Sequence, residues 1–187
     1  GVAALVVSGN PGVTPIQVRG AMRQTASRSN APDRLYGWGI LNALNAVNYA
    51  WIDHTPLANT EDTTARTVRV KIRSRIPLVA DSSRVMYGIN GSFSNSALLI
   101  ATGTPNEYSA QIPYVGNGVN VTYYIKTKNA NVSNRLPLGN QFFSYQVGAD
   151  AAGPSILHMA RGNASISSWP PRISAVVMDA SGVDTVR

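Results

Sequence analysis

Beyond Asp53 the chain is broken into short pieces, and that punctuation constrains its fold more than any other feature. Runs rich in β-branched and aromatic residues lie at 68–72, 85–89, 98–102, 108–112, 119–126 and 142–147. Between them stand Asn90-Gly91, Gly103-Thr104-Pro105-Asn106, Gly116-Asn117-Gly118 and the Asn-rich stretch 129–134. Short strands with a turn signal at roughly ten-residue intervals predict an antiparallel sandwich. Val121-Thr122-Tyr123-Tyr124-Ile125 is the best strand by propensity. In 68–76 the apolar Val68, Val70 and Ile72 alternate with Arg69, Lys71 and Arg73, the period of a strand with one buried face.

Residues 1–52 carry a different pattern. Gly1-Val2-Ala3-Ala4-Leu5-Val6-Val7 is apolar on every side, as in a helix buried at the centre of a sizeable domain, and stops at Gly9-Asn10-Pro11-Gly12. A second helix is expected from Thr14, with Pro15 at its first position and Gln17 closing a capping box, running to about Ala26. Residues 28–35 read as a loop. Tyr36-Gly37-Trp38-Gly39-Ile40-Leu41 follows, and Asn42 is expected to cap a third helix from Ala43 to about Trp51. The chain opens inside an expected helix and stops inside an expected strand, so both ends are expected to be cuts.

An internal repeat is also visible. Asp53-His54-Thr55-Pro56-Leu57, leading to 68–72, returns as Ile156-Leu157-His158-Met159, leading to 173–177 and then Asp184-Thr185-Val186. The alignment sets His54 against His158 and Val70 against Ala175, with an offset of one residue between the halves.

Composition removes several classes of function. With 44% hydrophobic and 13% charged residues, disorder is not expected. No apolar run approaches the ~20 residues of a membrane-spanning helix. The absence of cysteine excludes disulfide scaffolds, thiolate zinc sites and cysteine nucleophiles. A net charge of +7 raises the question of anionic partners. The densest group, Arg66, Arg69, Lys71, Arg73 and Arg75, reads as a solvated strand face, and nucleic acid is not an expected partner because no aromatic residues are interleaved with it.

The first 50 residues resemble the end of a subtilase catalytic domain. In that family the nucleophile lies in a Gly-Thr-Ser-x-Ala-x-Pro motif whose helix continues as His-Val-Ala-Gly-x-Ala-Ala-Leu, and Gly1-Val2-Ala3-Ala4-Leu5 is similar to that continuation. An Asn10-Pro11 turn, a Thr14-Pro15-Ile16-Gln17-Val18-Arg19 helix with Thr25-Ala26 near its end, and Tyr36-Gly37-Trp38-Gly39-Ile40-Leu41-Asn42-Ala43 follow in the family's order. The remainder resembles, more loosely, the fibronectin-type or immunoglobulin-like modules found after such catalytic domains. The resemblance implies an α+β content: C-terminal helices of an α/β subtilase domain (1–52), an antiparallel β-sandwich (53–150) and the start of a second sandwich (151–187). It further implies a secreted or cell-surface serine endopeptidase of bacterial type, acting on protein and peptide substrates, with its Ser, His, Asp and oxyanion-hole Asn all upstream of Gly1. The Ser would lie about two helical turns before it. The sandwich modules would be spacers, substrate-binding aids, or handles for secretion or surface attachment. A non-enzymatic surface or adhesion protein built of repeated sandwiches is the alternative, and a basic module binding an anionic polymer, with binding lost steeply as salt is added, is a second rival.

No residue of this chain matches a catalytic position of the family, so no catalytic, cofactor or metal residue is expected within it. His54 and His158, at equivalent repeat positions, read as structural. The acidic residues Glu61-Asp62 and Asp179 with Asp184 lack calcium-loop spacing, which leaves calcium as a property of the parent only. Trp169, Tyr114 and Tyr145 are aromatics that would stack on sugars if exposed, though core or partner contacts are the commoner use. Asn90, Asn120, Asn131 and Asn163 head glycosylation sequons of the kind Asn-rich loops produce by chance.

Overall fold

The computed structural model describes residues 1–148, 154–158, 162 and 173–179. Its elements in chain order begin with α1 (Val2–Gly9), α2 (Pro15–Gln24), α3 (Ala43–Val47) and β1 (Trp51–Asp53). β2 (Arg66–Arg73), β3 (Arg84–Ile89), β4 (Asn95–Leu98), β5 (Ile100–Ala101) and β6 (Glu107–Ile112) follow. The series ends with β7 (Val119–Lys128), β8 (Ser133–Leu136), β9 (Phe143–Val147), β10 (Ser155–His158) and β11 (Ala175–Met178).

The expectation of an α+β fold carrying the helical end of an α/β subtilase domain is not met. Among the described residues 38% are strand and 14% helix, arranged as several antiparallel sheets and three helices. The discrepancy has a local cause in residues 1–52. The loop between α2 and α3 is long, α3 stops at Val47 rather than near Trp51, and Trp51–Asp53 is a strand. A helix cap was legible at Asn42, whose side chain accepts from the Asn45 N–H at 2.9 Å. The helix is nevertheless only five residues long.

The β region is compatible with a sandwich. One sheet runs β1-β2-β6-β5 and the other β4-β3-β7-β8, with β9 also on β7. Every ladder between these strands is antiparallel. Their inner faces supply one core, with Val68, Val70, Ile72 and Ile112 against Val85, Val121, Tyr123 and Tyr145. The expected single strand at 98–102 is instead two, because the chain changes sheets at Leu99. That residue turns into the core, and its N–H donates to the Ser83 carbonyl at 2.9 Å. Tyr145 is likewise core rather than a surface aromatic, at 2% exposure.

Strand β1 has two buried faces. Ala50 and Ile52 join the sandwich core, whereas Tyr49 and Trp51 join a second cluster with Val6, Val18, Ala21, Ala46 and Val132. The two-residue period of an extended chain thus directs alternate side chains into two hydrophobic bodies. Side-chain amides complete the junction. Asn129 is fully buried, and its Nδ2 donates to the Asn48 carbonyl at 2.7 Å and to Ser74 Oγ at 3.1 Å. Its Oδ1 accepts from the N–H groups of Asn131 at 3.0 Å and Val132 at 2.8 Å. Asn134 Nδ2 donates to the Ala50 carbonyl at 2.7 Å. On the helical side Asn10 Nδ2 joins the carbonyls of Val6 (3.0 Å) and Val47 (2.9 Å), tying α1 to α3.

The internal repeat has a structural counterpart. β1 pairs with β2 as Ile52↔Ile72 and Asp53↔Lys71, a register that extends to place His54 opposite Val70. β10 pairs with β11 as Ile156↔Val177 and His158↔Ala175. The repeat alignment and the two ladders therefore agree residue for residue, and the offset of one falls between the paired strands.

Asn129→Ala leaves two backbone donors and one buried carbonyl without partners. At about 1–3 kcal/mol for each unmet buried group, partly offset by relaxation, the variant is expected to lose about 2–4 kcal/mol of stability. Urea denaturation measures it, with the exposed Asn95→Ala expected to change stability by less than about 0.5 kcal/mol.

Candidate functional site

Histidine is the natural starting point for any acid–base chemistry, and the two histidines do not meet. His54 follows β1, and His158 ends the β10–β11 pair. The His54 ring is fully engaged. Nδ1 lies 2.7 Å from the Arg69 carbonyl and so carries the proton, leaving Nε2 to accept from the Tyr123 hydroxyl at 2.8 Å. That hydroxyl in turn accepts from the Leu57 N–H at 2.9 Å. The ring also stands edge-on to Tyr123 and Phe143, with centroids 5.7 and 5.2 Å away. Burial pushes the His54 pKa below its usual 6.5, opposed by the Arg69 carbonyl, and burial lifts the Tyr123 phenol to about 12. Neither nitrogen is presented to a serine, so the group acts as a structural tie between the two sheets.

Among the carboxylates, Asp62 is committed locally, whereas Glu61 Oε1 is buried without a hydrogen-bond partner among the described residues. Asp62 accepts from the Thr64 N–H (2.8 Å) and hydroxyl (2.9 Å), closing its own turn, and these bonds hold its pKa below the usual carboxylate range. No group of three or more His, Asp or Glu side chains placed to hold a metal ion occurs among the described residues. Asp184 and Trp169 lie outside the described residues. Tyr114 is partly exposed, with its hydroxyl donating to Asn117 Oδ1 at 3.0 Å. No helix among the described residues is long and apolar enough to cross a membrane.

The most distinctive surface of the molecule is built by the helices. α1 is apolar on every face, yet only Val6 is buried, leaving Leu5 54% and Val7 50% exposed. α2 is set beside it by the expected capping box. The Gln17 N–H donates to Thr14 Oγ1 at 3.3 Å, and the Thr14 N–H donates to Gln17 Oε1 at 3.0 Å. The loop after α2 is then folded back by Ser27, whose Oγ accepts from the Ile40 N–H at 2.9 Å. Asp33 accepts from the N–H groups of Leu35 (2.9 Å) and Tyr36 (2.7 Å) and pairs with Arg28 at 2.6 Å. Gly39 has φ of 79°, and a Cβ there would overlap Ser27 Oγ and Arg28 Cγ, so only glycine fits. This turn delivers Trp38 to the Arg23 guanidinium, 5.3 Å from the ring centroid. The result is an apolar groove of about 650 Å³ between α1 and α2, bordered by Val7, Val13, Met22, Trp38 and Leu41. Ile16, Ile40 and Leu44 are also largely exposed.

A second, polar cleft of about 710 Å³ lies between this helical segment and the outer face of the β3-β7-β8 sheet. None of its residues carries a site signal in the sequence, because they come from α2, the Trp38 turn, β7 and β8, which only the fold brings together. The one signal available was the alternation within 119–126, whose outward members include Tyr124 and Lys126.

No protein-family model matches the chain, and no curated protein matches its sequence.

A folded-state pKa below 6.5 at His54 means that the unfolded chain binds the proton more readily. Stability from this group is therefore complete above pH 6.5 and is lost as pH falls below it toward the folded-state value. Urea midpoints are expected to fall between pH 7 and pH 5 in the parent chain by more than in His54→Gln, the difference isolating this residue.

Proposed function

We propose that this chain is the C-terminal part of an exported subtilisin-like serine endopeptidase, whose catalytic Ser, His and Asp lie upstream of Gly1. The observation that carries the proposal is the uncovered apolar surface of the helices. Soluble proteins rarely leave a contiguous apolar patch of this kind bare, and such patches mark interfaces. It is formed by residues that resemble the family, Leu5, Val7 and Ile16 among them. In this reading α1 and α2 lie against the upstream catalytic unit, and α1 continues the helix that carries the nucleophile.

The chemistry of the whole protein is acyl transfer. A histidine takes the serine proton as the serine attacks the peptide carbonyl, then passes it to the amine as the C–N bond breaks. Water hydrolyses the resulting acyl-enzyme, and donors upstream stabilise the oxyanion of each tetrahedral intermediate. This chain supplies none of those groups. Its contribution is support: a packed helix end behind the nucleophile, anchored through β1 to the sandwich. The sandwich then serves as a spacer or as a contact to substrate, the secretion apparatus or the cell surface.

The matched registers of β1–β2 and β10–β11 favour a second reading, a non-enzymatic surface protein of repeated sandwich modules. It leaves the apolar helices without a role, and for that reason it ranks second.

The two readings separate on the intact gene product treated with a serine-directed fluorophosphonate probe. Labelling is expected at a serine about two helical turns before Gly1, and it is expected to disappear with Ser→Ala there. An unlabelled, folded product without that serine would contradict the protease reading. Val7→Glu places a charge where the upstream unit is expected to pack. Burying an unpaired charge costs several kcal/mol. The intact variant is therefore expected to show at least ~10-fold less labelling, whereas Ala31→Glu, in an exposed loop, leaves it unchanged.

A further inference from the structure

The outer face of the second sheet carries a row of cations, of which Arg84 is tied to the Asp81 carbonyl (3.0 Å) and Ser96 Oγ (3.2 Å) while Lys126 has no such tie among the described residues. Register places Arg84 opposite Lys126 and Lys126 opposite Arg135, so three positive side chains lie side by side on β3, β7 and β8. Directly opposed like charges destabilise a sheet. No carboxylate lies within ion-pairing distance of any of the three among the described residues, where the two ion pairs are Arg28–Asp33 and Arg73–Asp53. Arg135 is held in place rather than free. Its guanidinium sits 4.0 Å from the Tyr124 ring centroid and 5.3 Å from that of Phe142, and it donates to the carbonyls of Pro137 (3.1 Å) and Gln141 (2.8 Å).

Lys126 and Arg135 form one wall of the polar cleft beside the helical segment, and no acidic residue lines that cleft. The side-chain amides of Gln24, Asn30 and Asn140 also line it. These amides make no hydrogen bond to other described residues, and each offers both donors and acceptors. Tyr124 and Trp38 add aromatic surface, and Leu138 is the one aliphatic side chain in the lining. The volume lies within the range of small-ligand sites.

We propose that this cleft binds an acidic oligosaccharide, a chain of sugar rings bearing carboxylates. The carboxylates would meet Lys126 and Arg135, ring hydroxyls would pair with the amides, and the C–H face of a sugar would lie on Trp38. The amides and hydroxyls outnumber the cations and match a ligand that both donates and accepts. An acidic peptide offers mainly acceptors on its side chains, and the cleft holds little to receive aliphatic ones. The proposal stands whether or not the upstream unit is a protease, since every residue in it belongs to this chain.

Titration calorimetry of the whole chain with hexagalacturonate tests the proposal, alongside neutral maltohexaose, hexaglutamate and a short oligothymidylate. Binding of hexagalacturonate is expected, with the other three at least ~10-fold weaker, the loss set by missing carboxylates or missing ring hydroxyls. Lys126→Gln is expected to weaken hexagalacturonate about tenfold, the loss of one charge-assisted contact. The same change relieves the cationic row, so the variant is expected to melt no lower than the parent chain. Lys71→Gln, on the other sheet, serves as the control and is expected to bind like the parent. Absence of hexagalacturonate binding would overturn the proposal. So would equal binding of maltohexaose, hexaglutamate or oligothymidylate, or a Lys126→Gln variant that is folded and binds as the parent does.

Discussion

The architecture depends on one short strand with two buried faces. Trp51–Asp53 pairs with β2 along its edge while its neighbours in sequence alternate between two cores, Ala50 and Ile52 inward to the sandwich, Tyr49 and Trp51 outward to the helices. Hydrophobic burial alone would allow the helical segment to slide or swing on such a seam, because it is non-directional. Direction comes from the amides of Asn129 and Asn134, which take up the backbone carbonyls of Asn48 and Ala50 just before the strand. Those carbonyls have to be satisfied somewhere once they are buried. The junction is therefore specified by hydrogen bonds and stabilised by apolar area, and each component would be weak without the other.

This arrangement divides the surface into regions with different chemistry. The helices spend Val6, Val18, Ala21 and Ala46 on the junction and keep Leu5, Val7 and Ile16 uncovered. A chain whose helices were only a cap on the sandwich would have polar residues at those positions. The apolar groove and the polar cleft meet at Trp38, which borders both. One face of the helical segment is thus apolar, and the adjacent cleft is lined mainly by polar and cationic side chains. The net charge of +7 is not spread evenly between them, since the unpaired row Arg84–Lys126–Arg135 stands on the sandwich.

The strand pattern was largely legible because its signals are local. Alternation marked β2, propensity marked β7, and Asn90-Gly91 marked the turn after β3, where both residues take positive φ. The capping box at Thr14 and Gln17 was visible for the same reason. What escaped the sequence was set by tertiary context. Trp51 follows a helical pattern, and only pairing with Arg73 makes it a strand residue. Leu99 reads as mid-strand, although core burial there turns the chain from one sheet to the other. The stretch 129–134 reads as a loop, and its asparagines gain their role from carbonyls about 80 residues earlier in the chain. Tyr145 reads as a surface aromatic, and its burial follows from its place beside Tyr123 on the inner face of the β7–β9 pair. The cleft was invisible because its cations become neighbours only through the β7–β8 register.

Coupled through β1 in this way, the helical segment and the sandwich form one cooperative body. Native-state hydrogen exchange across a series of low urea concentrations tests it most directly. Amides of α3 and β1 are expected to become exchangeable with the same free energy and the same urea dependence as those of β2 and β7. Exchange of α3 and β1 by a local opening that does not respond to urea, while β2 and β7 stay protected, would contradict it.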